Sequence, residues 1–371
     1  MEKRGKARLV IFSSIILVGV LLCFIVFQQY KILSTQKVFQ QKQLERQEAL
    51  LQTEQNNNTS VLLANLLTEV DIDLKNNSNR TLSEELIERI AFLSHSFIPC
   101  KYINGAALSE EALSLERGQL LLSLLSMDLD TSTFKSIKKT ATFAKADLRA
   151  AKIQEANLSA INLEDANLKE ADLSNSNFES AELRGVNLWA ANLENVNLQK
   201  ANLIRSNLGW IDLRTANLRE VNMSGADLTG AKMSGLDLRG ANLEWSTMEG
   251  VLLLDANMEG VEMSGAVLKK ASLKNVILTK AEMNYVDLQN ASLRNADLAG
   301  ATLISANLSY ADFTNANLSD VNLHKITFAE KEWFKKLSNE KVNGLEKIKE
   351  KYRIEKDQSF VSNYWLVPNK K

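Results

Sequence analysis

Cysteine, histidine and proline are nearly missing from this chain of 371 residues, which holds two of each. Cys23 lies inside an apolar run, so pairing with Cys100 is not expected and the fold is not stapled by disulfides. With only His95 and His324 beside them, no metal-ligand spacing and no Cys/His/Asp constellation can be assembled. Also absent are G-x-G-x-x-G, G-x-x-x-x-G-K-[ST], H-E-x-x-H and G-x-S-x-G. Neither a cofactor, a metal nor catalysis is expected. A one-sided charge is missing too: 44 basic and 45 acidic residues leave a net of −1, which argues against a nucleic-acid partner.

What is present begins at the N-terminus. Residues 9–27, LVIFSSIILVGVLLCFIVF, carry no charge and follow a basic segment, residues 1–8, with Lys3, Arg4, Lys6 and Arg8. Nineteen helical residues span roughly 28 Å, close to the hydrocarbon thickness of a bilayer. Gln28, Gln29, Tyr30 and Lys31 offer no A-x-A-like cleavage site, so a retained single-pass anchor is expected, not a signal peptide. Lys31, Lys37, Lys42 and Arg46 follow the span, but the denser cluster precedes it. This leans towards a cytoplasmic N-terminus in a bacterial inner membrane, with the rest of the chain outside.

Residues 28–60 are glutamine-rich without a strict heptad and read as a stalk helix and linker. Residues 61–140 read as a helical segment. Val61, Leu62, Leu66, Leu67 and Val70 recur at helical spacing as far as about Leu74. Thr81 and Glu84 form a candidate capping box for a helix bearing Leu86, Ile87, Ile90 and Leu93, stopped by Pro99. A further apolar helix is expected over 110–127. His95, beside this apolar region, reads as a structural residue. The segment is expected to cap whatever follows, and a partner-binding role for it stays open.

From Phe143 to Phe328 every fifth residue is Leu, Phe, Met or Ile, giving 38 units without an insertion. Two residues before each of these centres stands a small or β-branched residue such as Ala146, Val186 or Ser176, with Leu236 the one large exception. Asp or Asn stands between them in 24 of the 38 units. Neither a helix nor a strand has this period. Three residues of strand alternation and a two-residue corner make one side of a polygon. Nine of the ten glycines here occupy the last position of a unit, where Asn and Asp are as frequent; these residues tolerate positive φ. No proline interrupts residues 143–328, as a continuous backbone ladder requires. The six methionines from Met223 to Met283 all sit at centres and read as core filler.

This A-[DN]-L-x-x pattern resembles the pentapeptide-repeat family, over about half of the chain. The resemblance implies a mainly β fold: a right-handed quadrilateral β-helix, four units per coil, about nine coils, near 45 Å long at ~4.8 Å per coil. It would occupy 141–328, preceded by the transmembrane helix and the helical segment. Residues 329–371 form a C-terminal cap and tail. There AEKEWFKKL is expected to lay Trp333, Phe334 and Leu337 over the last coil, followed by a helix over 345–356 and a strand-like FVSNYWLVP.

With four units per coil, residues twenty apart stack. Trp189, Trp210 and Tyr310 then share one face, and Trp245 and Tyr285 the next. This corner is the candidate interaction surface, since aromatic residues are enriched at interfaces. Some family members mimic duplex DNA and bind DNA gyrase. Residues 141–328 hold 23 acidic and 17 basic residues, and Lys269, Lys270, Lys274 and Lys280 interrupt the acids, unlike a phosphate-like surface. The expectation is a non-catalytic, membrane-anchored scaffold or protein–protein interaction module. Its partner is an unknown protein, self-association stays open, and a gyrase modulator is the alternative.

Overall fold

The computed structural model describes residues 30–31, 34–38, 40–44, 47, 59–101, 103–104, 107–108, 111–356 and 364–369. The chain divides into two compact units. In the first, Met1–Asn58 with Cys100–Ala112, the described residues between 30 and 47 are helical. Strands β1 (Ile103–Asn104) and β2 (Ala107–Leu108) pair antiparallel in that unit. The expected transmembrane span, 9–27, lies outside the described residues. Among the described residues no helix is long and apolar enough to cross a membrane.

The second unit, Thr59–Pro99 with Leu113–Lys371, is built on the five-residue beat. All 38 centres are at most 2% exposed. From Asp147 onwards each unit contributes one bridging residue, the mostly polar one before the centre, and every bridge within the repeat joins residues twenty apart, as in Asp147↔Asn167 and Asn307↔Thr327. Four units therefore make one coil, and the coils stack as short parallel ladders. Burying one centre is worth ~1.5–3 kcal/mol, so the axis of the helix is itself the core.

The corner repeats with the same regularity. The amide of Ala151 donates to the carbonyl of Leu148 at 3.1 Å, closing a four-residue turn, and Ala150 within it has φ +53°, as a type II turn requires. Positive φ recurs at 36 of the 37 last positions from Lys145 to Lys325, nine of them glycine. The expected preference for Gly, Asn and Asp is thus only part of the rule: Lys, Glu, Ala and Trp stand there as well. A left-handed non-glycine residue costs about 1–2 kcal/mol, which the adjoining centre offsets on burial. Thr215 is the exception. A β-branched residue fits this conformation worst, and there the Asn195 amide bonds to Thr215 Oγ1 at 2.9 Å, where neighbouring corners use a backbone carbonyl. The Asp/Asn preference also has a cause: Asn167 Oδ1 accepts from the Lys169 amide at 3.0 Å, and this Asx contact recurs along the helix. The buried serines Ser206 and Ser246 each satisfy their hydroxyl on a carbonyl three residues back, at 2.7 Å.

Both ends of the ladder are finished by other elements. At the start, α1 (residues 59–76), α2 (Glu84–Ser96), α3 (Leu115–Ser126) and α4 (Thr131–Thr140) bury Leu66, Val70, Ile90, Leu120 and Ile137. Ser114 forms the first rung, parallel to Ala146. The buried Arg117 guanidinium donates to the carbonyls of Ser94 at 3.0 Å and Ala144 at 2.6 Å. The N-cap of α2 is Ser83, not Thr81; Thr81 Oγ1 instead accepts from Asn77 Nδ2 at 2.6 Å, within the preceding turn. The apolar helix expected over 110–127 begins only at Leu115, after Ser114 caps it.

At the far end, β3 (Thr327–Phe328) leaves the last coil and α5 (Trp333–Asn339) folds back. Trp333 stacks on Phe328 with ring centroids 4.9 Å apart, and Leu337 is buried beside it. Helix α6 (Leu345–Lys351) ends sooner than expected, because Tyr352–Lys356 is strand β4. It pairs with β5 (Tyr364–Pro368) in a sheet ordered β3–β5–β4. Asn343 adds a parallel rung to Asn317, so unpaired backbone at the last coil is covered.

Two outcomes follow from this core. Leu253→Ala, at a fully buried centre, should cost about 2–5 kcal/mol in urea unfolding. Burial raises the Glu340 carboxyl above its ordinary value, so its charge is a penalty on folding that is present above the raised pKa and vanishes below the ordinary one. Glu340→Gln keeps an acceptor for the Phe313 amide, 3.2 Å away. Its melting temperature should exceed that of the parent at about pH 8, and the difference should vanish at about pH 4.

Candidate functional site

A register of twenty turns the exterior into vertical columns. One column of bridging residues runs from Asp147 to Thr327 in steps of twenty and forms the middle of one face. Trp245 and Tyr285 stand at the corner that leads into this face, and Trp210 and Tyr310 at the corner that leaves it. Trp189 precedes the second corner by one residue. The aromatic residues expected on two neighbouring faces are thus the two edges of a single face.

All four corner aromatics take the left-handed conformation, with φ between +58° and +61°. Trp210 is 73% exposed, Trp245 66%, Tyr285 63% and Tyr310 58%. Their rings are not loose, because the next coil receives two of them. Above Trp210 stands Gly230, where a Cβ would lie 2.6–2.8 Å from Cε3, Cδ2 and Cζ3 of the indole. Gly265 holds the same relation to Trp245. Near-equal distances to three ring atoms mean that each indole lies flat on a bare Cα, with its other face turned to solvent. Trp189 differs: Lys169 Nζ lies 4.6 Å from its ring centroid, so a cation occupies that ring.

Between the aromatic edges the face is mostly polar. Asn207, Asp227, Thr247, Val267, Asp287 and Asn307 form the middle column. Two cations near it are paired, Lys270 with Glu249 at 2.8 Å and Lys269 with Asp287 at 3.3 Å. The Lys270 ammonium holds the Glu249 carboxyl below its ordinary value. Elsewhere cations bridge coils to acids in the same way, as Lys200 does to Glu220 at 3.8 Å.

Other places offer less chemistry. Beside α3, α4 and the first coils lies a cleft of about 590 Å³, lined in part by Leu125, Phe134, Lys138 and Ile153. Lys138 Nζ is committed to the carbonyls of Asn157 and Ser159, at 3.1 and 2.8 Å. His95 Nε2 lies 3.1 Å from the carbonyl of Thr140. Among the described residues no group of three or more potential ligands could hold a metal.

The repeat architecture decides the family. The profile described as Pentapeptide repeats matches in eight copies, over 141–179, 181–219, 206–244, 248–284, 256–295 and 281–320. Through this segment the chain belongs to the pentapeptide-repeat family. That membership implies the right-handed β-helix expected from the sequence. Among solved structures, the chain is similar to HetL, a pentapeptide-repeat protein involved in heterocyst differentiation regulation in the cyanobacterium Nostoc sp. strain PCC 7120. The identity is 26%, over 55% of this chain and 98% of that one, with a TM-score of 0.29. A pentapeptide-repeat protein of the Arabidopsis thaliana thylakoid lumen is 24% identical over 33% of this chain and 71% of its own, with a TM-score of 0.21. Full-length QnrB1, a plasmid-mediated fluoroquinolone resistance protein, is 16% identical over 48% of this chain and 87% of its own, with a TM-score of 0.21. No curated protein matches the chain.

Sequence reasoning missed the glycines beneath the indoles, although a Trp followed by Gly twenty residues later was readable at both sites. Gly265→Ala should lift Trp245 off the backbone and raise its quenching by acrylamide, measured with the other tryptophans replaced by Phe. Gly235→Ala is the matched control. Its φ of +75° is close to the +73° of Gly265, but nothing lies within 4 Å of its Cβ position. Quenching there should stay at the parent value.

Proposed function

We propose that this pentapeptide-repeat protein is a non-catalytic, membrane-anchored scaffold of a bacterial inner membrane. The uncharged run at 9–27 tethers it as a single-pass helix, with the N-terminus cytoplasmic and a rod of about nine coils outside. Its aromatic-edged face docks an envelope protein. The observation that carries this reading is the pair of indoles held flat on glycine with their outer faces free. A structural residue would bury that surface, and large, rigid aromatic side chains supply much of the energy of protein interfaces. The filled axis supports a non-catalytic role, since it leaves no interior cavity for a substrate.

Two experiments test this. Protease added to intact spheroplasts should cleave a C-terminal tag; protection until permeabilisation would put the rod in the cytoplasm and restore cytoplasmic targets such as gyrase. A photo-reactive residue at position 245 should capture a protein that no longer co-purifies with a Trp210→Ala/Trp245→Ala variant. Unchanged co-purification by that variant would remove this face as the docking surface.

A further inference from the structure

We infer that the aromatic-edged face takes a proline-rich segment of its partner, in the extended polyproline II conformation. This rests on the reading of that face as a docking surface and names what the surface would recognise. The common ways of binding a peptide each need a feature that the face either has or lacks. Strand addition needs unpaired backbone, but the column through Asp227 and Thr247 is bridged above and below. A helix needs an apolar groove, but the single Val267 of the middle column stands among Asn207, Asp227, Thr247, Asp287 and Asn307. A phosphorylated segment needs a cluster of uncommitted cations, but Lys269 and Lys270 are paired with Asp287 and Glu249, which leaves Arg205 alone beside this stretch of the face. A polyproline helix needs aromatic rings standing clear at its own repeat, and these are present.

The spacing is commensurate. Trp245 and Tyr285 stand on one edge two coils apart, about 9.6 Å at ~4.8 Å per coil. A polyproline II helix repeats every three residues, about 9.3 Å. Trp210, on the opposite edge, lies a little under two coils before Trp245. A ligand along the face would meet Trp210 on one edge, Trp245 and Tyr285 on the other, and Tyr310 on the first again, over five coils or ~24 Å. That is the length of about eight polyproline residues. Proline rings would stack on the free indole faces. The ligand's carbonyls, which have no internal hydrogen bonds, could accept from the hydroxyls of Tyr285 and Tyr310.

The test uses the full chain in lipid nanodiscs and a fluorescein-labelled oligoproline of about nine residues. A panel of P-x-x-P-x-x-P peptides with varied x residues runs alongside, with a glycine–serine peptide of equal length as control. Saturable anisotropy is expected for oligoproline or for members of the panel, and none for the control. Trp210→Ala/Trp245→Ala should weaken binding at least about tenfold. Gly265→Ala should weaken it several-fold while Gly235→Ala leaves it unchanged, with circular dichroism showing every variant folded. The inference is overturned if no proline-containing peptide binds, or if binding ignores the two tryptophans. Binding of chito-oligosaccharides in place of the peptides, lost in the same double variant, would overturn it in favour of a glycan surface. A protein captured at position 245 without a proline-rich segment would overturn it too, while leaving the docking reading intact.

Discussion

Constancy of length is the constraint on which this molecule depends. Each unit must be five residues and each coil twenty, because the bridge from Asn167 reaches Asp147 on one side and Asn187 on the other. A single inserted residue would turn every later centre outwards and break the ladder at once. Even the one defective corner keeps the count. At Thr215 the turn changes its conformation, not its length, and a side-chain oxygen takes the place of a carbonyl for the Asn195 amide.

A stack of identical coils has no natural end, so its termini must be supplied by sequence that leaves the repeat. Ser114 and Asn343 do this with backbone, each adding a last parallel rung. Arg117 and Lys336 do it with cations on carbonyls, Lys336 Nζ reaching Ala311 O at 2.7 Å. Where the last coil closes, Trp333 stacks on Phe328 and continues the buried column into the cap. Terminal rungs paired within the chain also discourage copies from stacking end to end.

How much was legible depended on whether a local rule or a tertiary one was in force. The centres, their small partners and the corner positions follow from period alone. The stacking interval of twenty did not; it came with the family resemblance, because a period of five is silent on how many sides close a coil. Ser83 displaced Thr81 as a cap because the segment before it was already turned by Asn77. The strand at Tyr352–Lys356 replaced the tail of a helix because β5, remote in sequence, pairs with it. Helix α4, with Phe134 and Ile137 one turn apart after the N-cap Asp130, carried a readable signal inside a segment read only coarsely.

The same economy explains why the face could acquire its aromatic edges. A corner held by a type II turn on a buried centre accepts nearly any side chain, as Trp210, Lys270 and Tyr310 show in a single column. Exchanges there leave the core untouched, so the exterior is free to vary while the interior is not. What an exposed indole lacks at such a corner is a fixed orientation, and the glycine twenty residues on supplies it. Gly230 and Gly265 are therefore best understood as part of the surface and not of the turn. Gly235 has the same backbone conformation without a ring above it, which shows that the corner does not itself call for the indole.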